Sequence, residues 1–195
     1  MKSFLNFLLN EEDCQDIAFQ GEKVEKRDLH FLNVYQCKFT NCVFSACIFE
    51  SFNFSACTFV NCKFLDTSFF SCTMKKNYFL DCDFVNVKFT ELNWKQNKFE
   101  RAMFKYVEMR KNKLELETYD TCNLVSIESF EDQFFDVSFS LSHILKSSFQ
   151  STFCDTNFNT SSIEDTFFDL KKFKNCFLTP SQGLELLKYY GITFH

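Results

Sequence analysis

Three glycines and one proline in 195 residues are too few for a loop-rich or low-complexity chain, or for a glycine loop that cradles a nucleotide. Only three histidines occur, His30, His143 and His195, far apart and none at ligand spacing. There is no C-x-x-C, G-x-S-x-G or H-E-x-x-H, which leaves the common zinc, hydrolase and metalloprotease patterns without their residues. These absences point away from an enzyme and away from any metal or cofactor. No apolar run is long enough to span a membrane. The opening MKSFLNFLLNEED has one lysine, a brief apolar core and no small-residue cleavage site, so it reads as neither a secretory signal nor a membrane anchor. Its readings are a helix with Ser3 as N-cap that covers an open end of the fold, or a membrane- or partner-binding segment.

What the chain has in abundance is phenylalanine on a fixed spacing. Phe39, Phe44, Phe49, Phe54, Phe59, Phe64 and Phe69 stand five apart, with Cys37, Cys42, Cys47, Cys57 and Cys62 two residues ahead of most of them. A helix drifts off such a spacing, and a flat strand would turn successive Phe to opposite faces. The chain must therefore turn a corner every five residues. Between Val34 and Phe149 there are 24 such central positions, and only Ser129 is not apolar. One residue is then lost, and Phe153, Phe158, Ile163, Phe168, Phe173 and Leu178 continue the period. Of the 30 Phe, 20 fall on central positions, where random placement would put about a fifth of them.

A period of x-small-x-Phe-x resembles the pentapeptide repeat family. That resemblance implies an all-β fold, a right-handed quadrilateral parallel β-helix in which four pentapeptides make one coil and the central and small residues point inward. The divisions are a cap at 1–16, the β-helix at 17–178, and a helix and tail at 179–195. The string GEKVEKRD from Gly21 and the terminal LTPSQGLELLKYYGITFH are similar to the quinolone-resistance branch of the family, Qnr- and MfpA-like. Thr179 as N-cap, Pro180 at the first helical position and Gln182 three after the cap mark a helix start, and Gly191 its stop. The resemblance implies dimer contacts through this module, at Leu184, Leu187, Tyr190, Ile192 and Phe194. A plain cap is the alternative.

Eleven cysteines suggest a disulfide scaffold, but nine occupy the small inward position, where a thiol behaves as a small hydrophobe. Cysteines twenty apart stack in columns with parallel side chains, a geometry poor for disulfides. Reduced thiols and a cytoplasmic location follow as expectations. Cys14 and Cys154 are read as off the core register. An irregular first coil is expected at Glu22 and Arg27, and a bulged or open stretch within 110–136, where Glu117 and Asp132 fall on inward positions and Ser129 on a central one.

Net charge is −5, and it is unevenly spread. Residues 63–113 are basic and residues 115–195 strongly acidic. In the repeat register the outward acids of that last part are Asp120, Glu128, Glu131, Asp136, Asp155, Glu164, Asp165 and Asp169. The resemblance implies a homodimeric rod that mimics duplex DNA and binds a type II topoisomerase, DNA gyrase or topoisomerase IV, with no direct contact to nucleic acid. Two departures bear on this: the basic middle, and the lack of inserted loops that several Qnr proteins need to protect their target from quinolones. The alternative is a scaffold or regulatory interaction protein that uses Phe130, Phe135 and Phe167 or the basic middle, with the acids serving solubility.

Overall fold

The computed structural model describes residues 3–192. Each pentapeptide supplies one short strand, such as Asn33–Tyr35, Lys38–Thr40, Val43–Ser45 and Ile48–Glu50, with its middle residue buried. Pairing is parallel and displaced by twenty residues. Val34 lies beside Phe54, Phe39 beside Phe59, Phe44 beside Phe64 and Phe49 beside Phe69. Four strands therefore close one coil. Walls 1 to 4 are those that carry Val34, Phe39, Phe44 and Phe49.

Apart from Gly21 (φ 65°), the corners are made without glycine. From Cys14 to Ile144 the residue two after each centre lies in the left-handed region, as in Gln36 (φ 51°), Asn41 (55°), Ala46 (50°) and Ser51 (57°). An L-residue there costs on the order of 1 kcal/mol. The cost is offset because each corner N–H donates to a carbonyl of the next coil, Gln36 to Ser55 at 3.0 Å and Asn41 to Val60 at 2.9 Å. The left-handed corner is thus imposed by the stacked ladder rather than by local preference.

The inward position before each centre selects small residues that carry a donor. Cys62 Sγ donates to the carbonyls of Phe39 and Val60 at 3.5 Å. Thr67 Oγ1 does the same to Phe44 and Leu65, and Ser142 Oγ to Tyr119 and Ser140. All eleven cysteines are free thiols. Cys14, expected off the register, is fully buried in wall 1 and pairs with Val34. It stands five residues before Phe19, a phase that polar Glu22 and Arg27 mask in the sequence.

Phenylalanine fills the interior in two geometries. Along wall 2 the rings of Phe39, Phe59, Phe79 and Phe99 stack at 4.7–4.8 Å within 7° of parallel, the spacing of adjacent strands. Around each corner they meet edge to face, Phe39 to Phe44 at 6.0 Å and 68°, the arrangement ring quadrupoles favour. Wall 4 breaks its stack at Met109 and Ser129. A void of about 10 Å³ lies there, lined by side chains that include Trp94, Met109 and Ile127.

The stretch expected to bulge or open stays closed, and a buried polar network explains why. Asp132 Oδ1 accepts the backbone and side-chain N–H of Asn112 at 2.7 and 2.8 Å, and Oδ2 accepts from Ser129 Oγ at 2.5 Å. Ser129, the lone polar centre, is thus the partner of the buried carboxylate. One coil away, Asn77, Asn97 and Glu117 form a ladder. Asn77 donates to Asn97 Oδ1, and Asn97 donates to Glu117 Oε1 at 3.1 and 3.2 Å. Glu117 Oε2 has no partner. The first coil, expected irregular, also keeps its ladder, with Val43 and Ile48 N–H donating to Glu22 and Arg27 carbonyls at 2.8 Å.

The lost residue is a corner. Between Phe130↔Gln150 and Gln133↔Thr152 the pairing slips by one. The corner from wall 4 to wall 1 has Glu91, Lys111 and Glu131 at positive φ, but among the described residues none lies there between Lys146 and Asp155.

Helix α1 (Phe4–Asn10) lies over the first coil, with Ser3 Oγ accepting Asn6 N–H. Phe4 is fully buried edge-on against Phe19 and Phe39 at 5.1 and 4.9 Å. Helix α2 (Pro180–Lys188) begins with a reciprocal box, Thr179 with Gln182. It ends one turn before Gly191 (φ 72°), and Gly191 N–H to Lys188 and Ile192 N–H to Leu187 complete the two-bond stop that a left-handed glycine allows.

Candidate partner-binding surface

The repeat register puts two side chains per strand and one per corner on the outside, so every wall displays columns that change once per coil. Glu128 and Asp169 stand on wall 4, Asp165 on the corner between walls 3 and 4, and Glu164 on wall 3 beside it. These four gather near the C-terminal end of one edge. Asp136 and Asp155 stack on the diagonally opposite corner, between walls 1 and 2. Asp120 is on wall 2, and Glu131 on the corner from wall 4 to wall 1. The eight acids therefore encircle the last coils rather than share one face.

Their surroundings differ. Asp169 accepts Lys171 N–H at 3.2 Å as the cap of a short turn, Leu170–Lys172, with Lys172 Nζ 4.0 Å away. Asp155 accepts from Cys154 Sγ at 3.2 Å, and hydrogen bonds from Cys154 and Asn175 hold its carboxyl below the ordinary range. Asp120 accepts from Thr121 Oγ1. Among the described residues, Glu128, Glu131, Asp136, Glu164 and Asp165 make no ion pair.

In the basic middle the cations are largely answered by acids one rung away or on the same strand. Lys63 meets Asp83 at 3.6 Å, Lys88 meets Glu108 at 3.6 Å, Lys95 meets Glu115 at 2.6 Å and Arg101 meets Asp81 at 2.8 Å. Lys98 pairs with Glu100, Arg110 with Glu108 and Lys113 with Glu115. Hydrogen bonds from Arg101 and from Arg110 lower the carboxyls of Asp81 and Glu108. Exposed pairs of this kind add little stability. Their consequence is local: they cancel charge, leaving Lys75, Lys76, Lys105 and Lys111 without a carboxylate partner among the described residues.

At the C-terminal end, Leu184, Tyr190 and Ile192 are 43–45% exposed, and Leu187 is half-buried. Phe194 lies outside the described residues. Two anchors here were not visible as such in the sequence. Tyr190 Oη donates to Phe168 O at 2.8 Å and accepts Leu170 N–H at 3.1 Å. Gln182 Nε2 donates to the carbonyls of Phe158 and Ser161 at 2.7 and 2.6 Å, which closes the last coil beneath the helix. Its box with Thr179 was the signal available. Phe130, of the alternative surface, is covered by the Arg110 guanidinium at 4.8 Å, and Phe167 lies against Tyr189 and Tyr190.

No group of three or more His, Cys, Asp or Glu among the described residues is placed to hold a metal ion, and no helix there is long and apolar enough to cross a membrane.

Walls, left-handed corners and a twenty-residue rung define a four-sided parallel β-solenoid. Residues 32–109 match the family model described as a pentapeptide repeat region. Its structure is similar to a trypsin-treated form of QnrB1, a plasmid-mediated fluoroquinolone resistance protein, with a TM-score of 0.52 and 17% identity over 94% of this chain and 99% of that one. It is also similar to HetL, a pentapeptide repeat protein involved in heterocyst differentiation regulation from the cyanobacterium Nostoc sp. strain PCC 7120, with a TM-score of 0.52 and 11% identity over 85% of this chain and 84% of that one. At these identities the likeness is one of fold. No curated protein matches the sequence.

Proposed function

We propose that this chain is a cofactor-free interaction protein that occupies the DNA-binding surface of a type II topoisomerase, DNA gyrase or topoisomerase IV, as a partial mimic of duplex DNA. The observation that carries this reading is the charge asymmetry left after ion pairing. The middle coils pair most of their cations with their own carboxylates, whereas Glu128, Glu131, Asp136, Glu164 and Asp165 make no ion pair among the described residues. Eight or nine rungs at about 4.8 Å make a rod of roughly 40 Å, and joining two through Leu184, Leu187, Tyr190 and Ile192 would place the acids at its middle. A basic groove that holds DNA would bind such a rod by the same release of counterions. The fold it shares with QnrB1, described as a fluoroquinolone resistance protein, supports testing for protection of the enzyme from the drug. The cytoplasm is the compartment this partner requires.

HetL supports the competing reading, a regulatory scaffold with no topoisomerase partner, because the same fold there belongs to a protein described in differentiation regulation. A supercoiling and cleavage assay on purified gyrase, titrated with this protein with and without a quinolone, separates the two. Inhibition or drug protection that fades as salt is raised supports DNA mimicry. No effect at concentrations well above the enzyme's assigns the chain to the scaffold reading.

A further inference from the structure

The corner between walls 3 and 4 is a column of outward residues that runs Tyr106, Ser126, Lys146 and Asp165 from coil to coil. Tyr106 is 57% exposed, and the long Lys146 also projects, but Ser126 between them is small. A gap opens over Ser126. Two recesses, of about 190 and 320 Å³, meet at Ser126 and Glu128. Together they form one groove parallel to the solenoid axis. The first reaches up past Tyr106 and Glu108 to Lys88, and the second reaches down past Lys146 and Asp165 to Phe167 and Tyr189.

The walls of this groove alternate aromatic rings and carboxylates. Glu108 is already engaged by Lys88 and Arg110, so the carboxylates open to a ligand are Glu128 and Asp165. The field at the lower end is negative: burial, with Asp165 and Glu185 nearby, raises the Tyr189 phenol. Lys146 is the opposing cation. Rings on either side with carboxylates between them match a guanidinium, which stacks on aromatic faces and takes carboxylate hydrogen bonds in its plane.

We propose that this groove is a docking site for an extended, arginine-bearing peptide segment of a partner protein, with one guanidinium seated over Ser126 against Tyr106 and bonded to Glu128, and the guanidinium of an arginine two residues on bonded to Asp165 beside the Phe167–Tyr189 pair. The inference goes beyond DNA mimicry, because it requires a shaped recess rather than a diffuse acidic surface. The four rungs from Tyr106 to Asp165 cover about 14 Å, and an extended segment rises about 3.3 Å per residue, so four to five residues span them.

The test uses a fluorescein-labelled peptide of four Arg-Val repeats, which alternates cation and β-branched residue, and the full-length protein. Ser126→Tyr fills the gap without changing charge, and Tyr106, at the same corner position with φ 57°, shows that the backbone accepts tyrosine there. The expected results are saturable binding to the native protein and at least a tenfold loss with Ser126→Tyr. Lys146→Ala should tighten binding severalfold, and Lys174→Ala, an equal charge change on wall 1, should not. A peptide of four Lys-Val repeats, equal in charge, should bind more weakly. Equal binding to native protein and Ser126→Tyr, equal effects of the two lysine changes, or no binding of the Arg-Val peptide would each overturn the proposal. Competition with DNA for a topoisomerase should survive Ser126→Tyr, so failure of the groove and failure of the mimicry reading are read separately.

Discussion

Replacing Glu117 with Gln should remove a large part of the protein's loss of stability at alkaline pH. Glu117 is 1% exposed and sits at the end of the Asn77–Asn97 ladder, with Oε1 bonded twice and Oε2 unpartnered. Burial pushes its carboxyl from about 4.5 up to about 8. A raised acid binds a proton on folding, so its contribution is fully present below the unfolded value and is lost as pH rises through the folded one. At about 1.4 kcal/mol per pH unit, the shift corresponds to roughly 5 kcal/mol in all, and to about 3 kcal/mol between pH 5.5 and 8.5. Asp132, pushed up to about 6 by burial, acts in the same direction over a lower window. Glutamine preserves the acceptor to Asn97 and cannot ionise. Its amide leaves two N–H groups unpartnered where the protonated acid leaves one O–H, so the exchange carries a pH-independent cost of about 1–3 kcal/mol. Urea unfolding of both proteins at pH 5.5, 7 and 8.5 measures this. The native protein should lose about 3 kcal/mol more than Glu117→Gln across that range, and parallel pH profiles would refute a buried, proton-binding carboxylate.

Other consequences are equally direct. Ser129→Ala removes the donor to Asp132 Oδ2 and should cost about 1–3 kcal/mol in urea unfolding; a neutral result would mean that the network is not the reason the coil stays closed. An aromatic disulfide reagent should react quickly with no more than Cys154 and Cys176, the two half-buried thiols, and with all eleven only after unfolding; burial raises Cys14 and Cys57 to about 12. Leu184→Glu with Leu187→Glu should convert a dimer to a monomer by sedimentation without changing the far-ultraviolet spectrum, and an unchanged mass would remove the C-terminal contact.

Much of the fold was legible because the period is independent of side-chain detail. Phe39 to Phe69 at five-residue spacing fix the corner frequency, and the resemblance to pentapeptide repeats implies the four sides that put Cys42, Cys62 and Cys82 in one column. Pentapeptide patterning could not reveal why Glu117 and Asp132 are tolerated, because the partners that satisfy them, Asn97, Asn112 and Ser129, belong to neighbouring rungs or an adjacent wall. Cys14 was missed for a related reason: its phase is set by stacking on Val34, while local polarity at Glu22 and Arg27 hides it. The outward charges were legible as a tally but not as a surface. Whether Lys95 is a free cation depends on Glu115 twenty residues on, and the groove over Ser126 exists only because its column neighbours are large.

The central claim is best tested by displacement of a fluorescent duplex from purified gyrase, followed by anisotropy at several salt concentrations. The account predicts that the native protein displaces DNA, that its apparent affinity falls steadily with salt, and that Glu164→Lys with Asp165→Lys and Asp169→Asn weakens displacement at least tenfold while the fold is retained. Asn at 169 keeps the turn cap. Displacement unchanged by those substitutions, or no displacement at low salt, would contradict it.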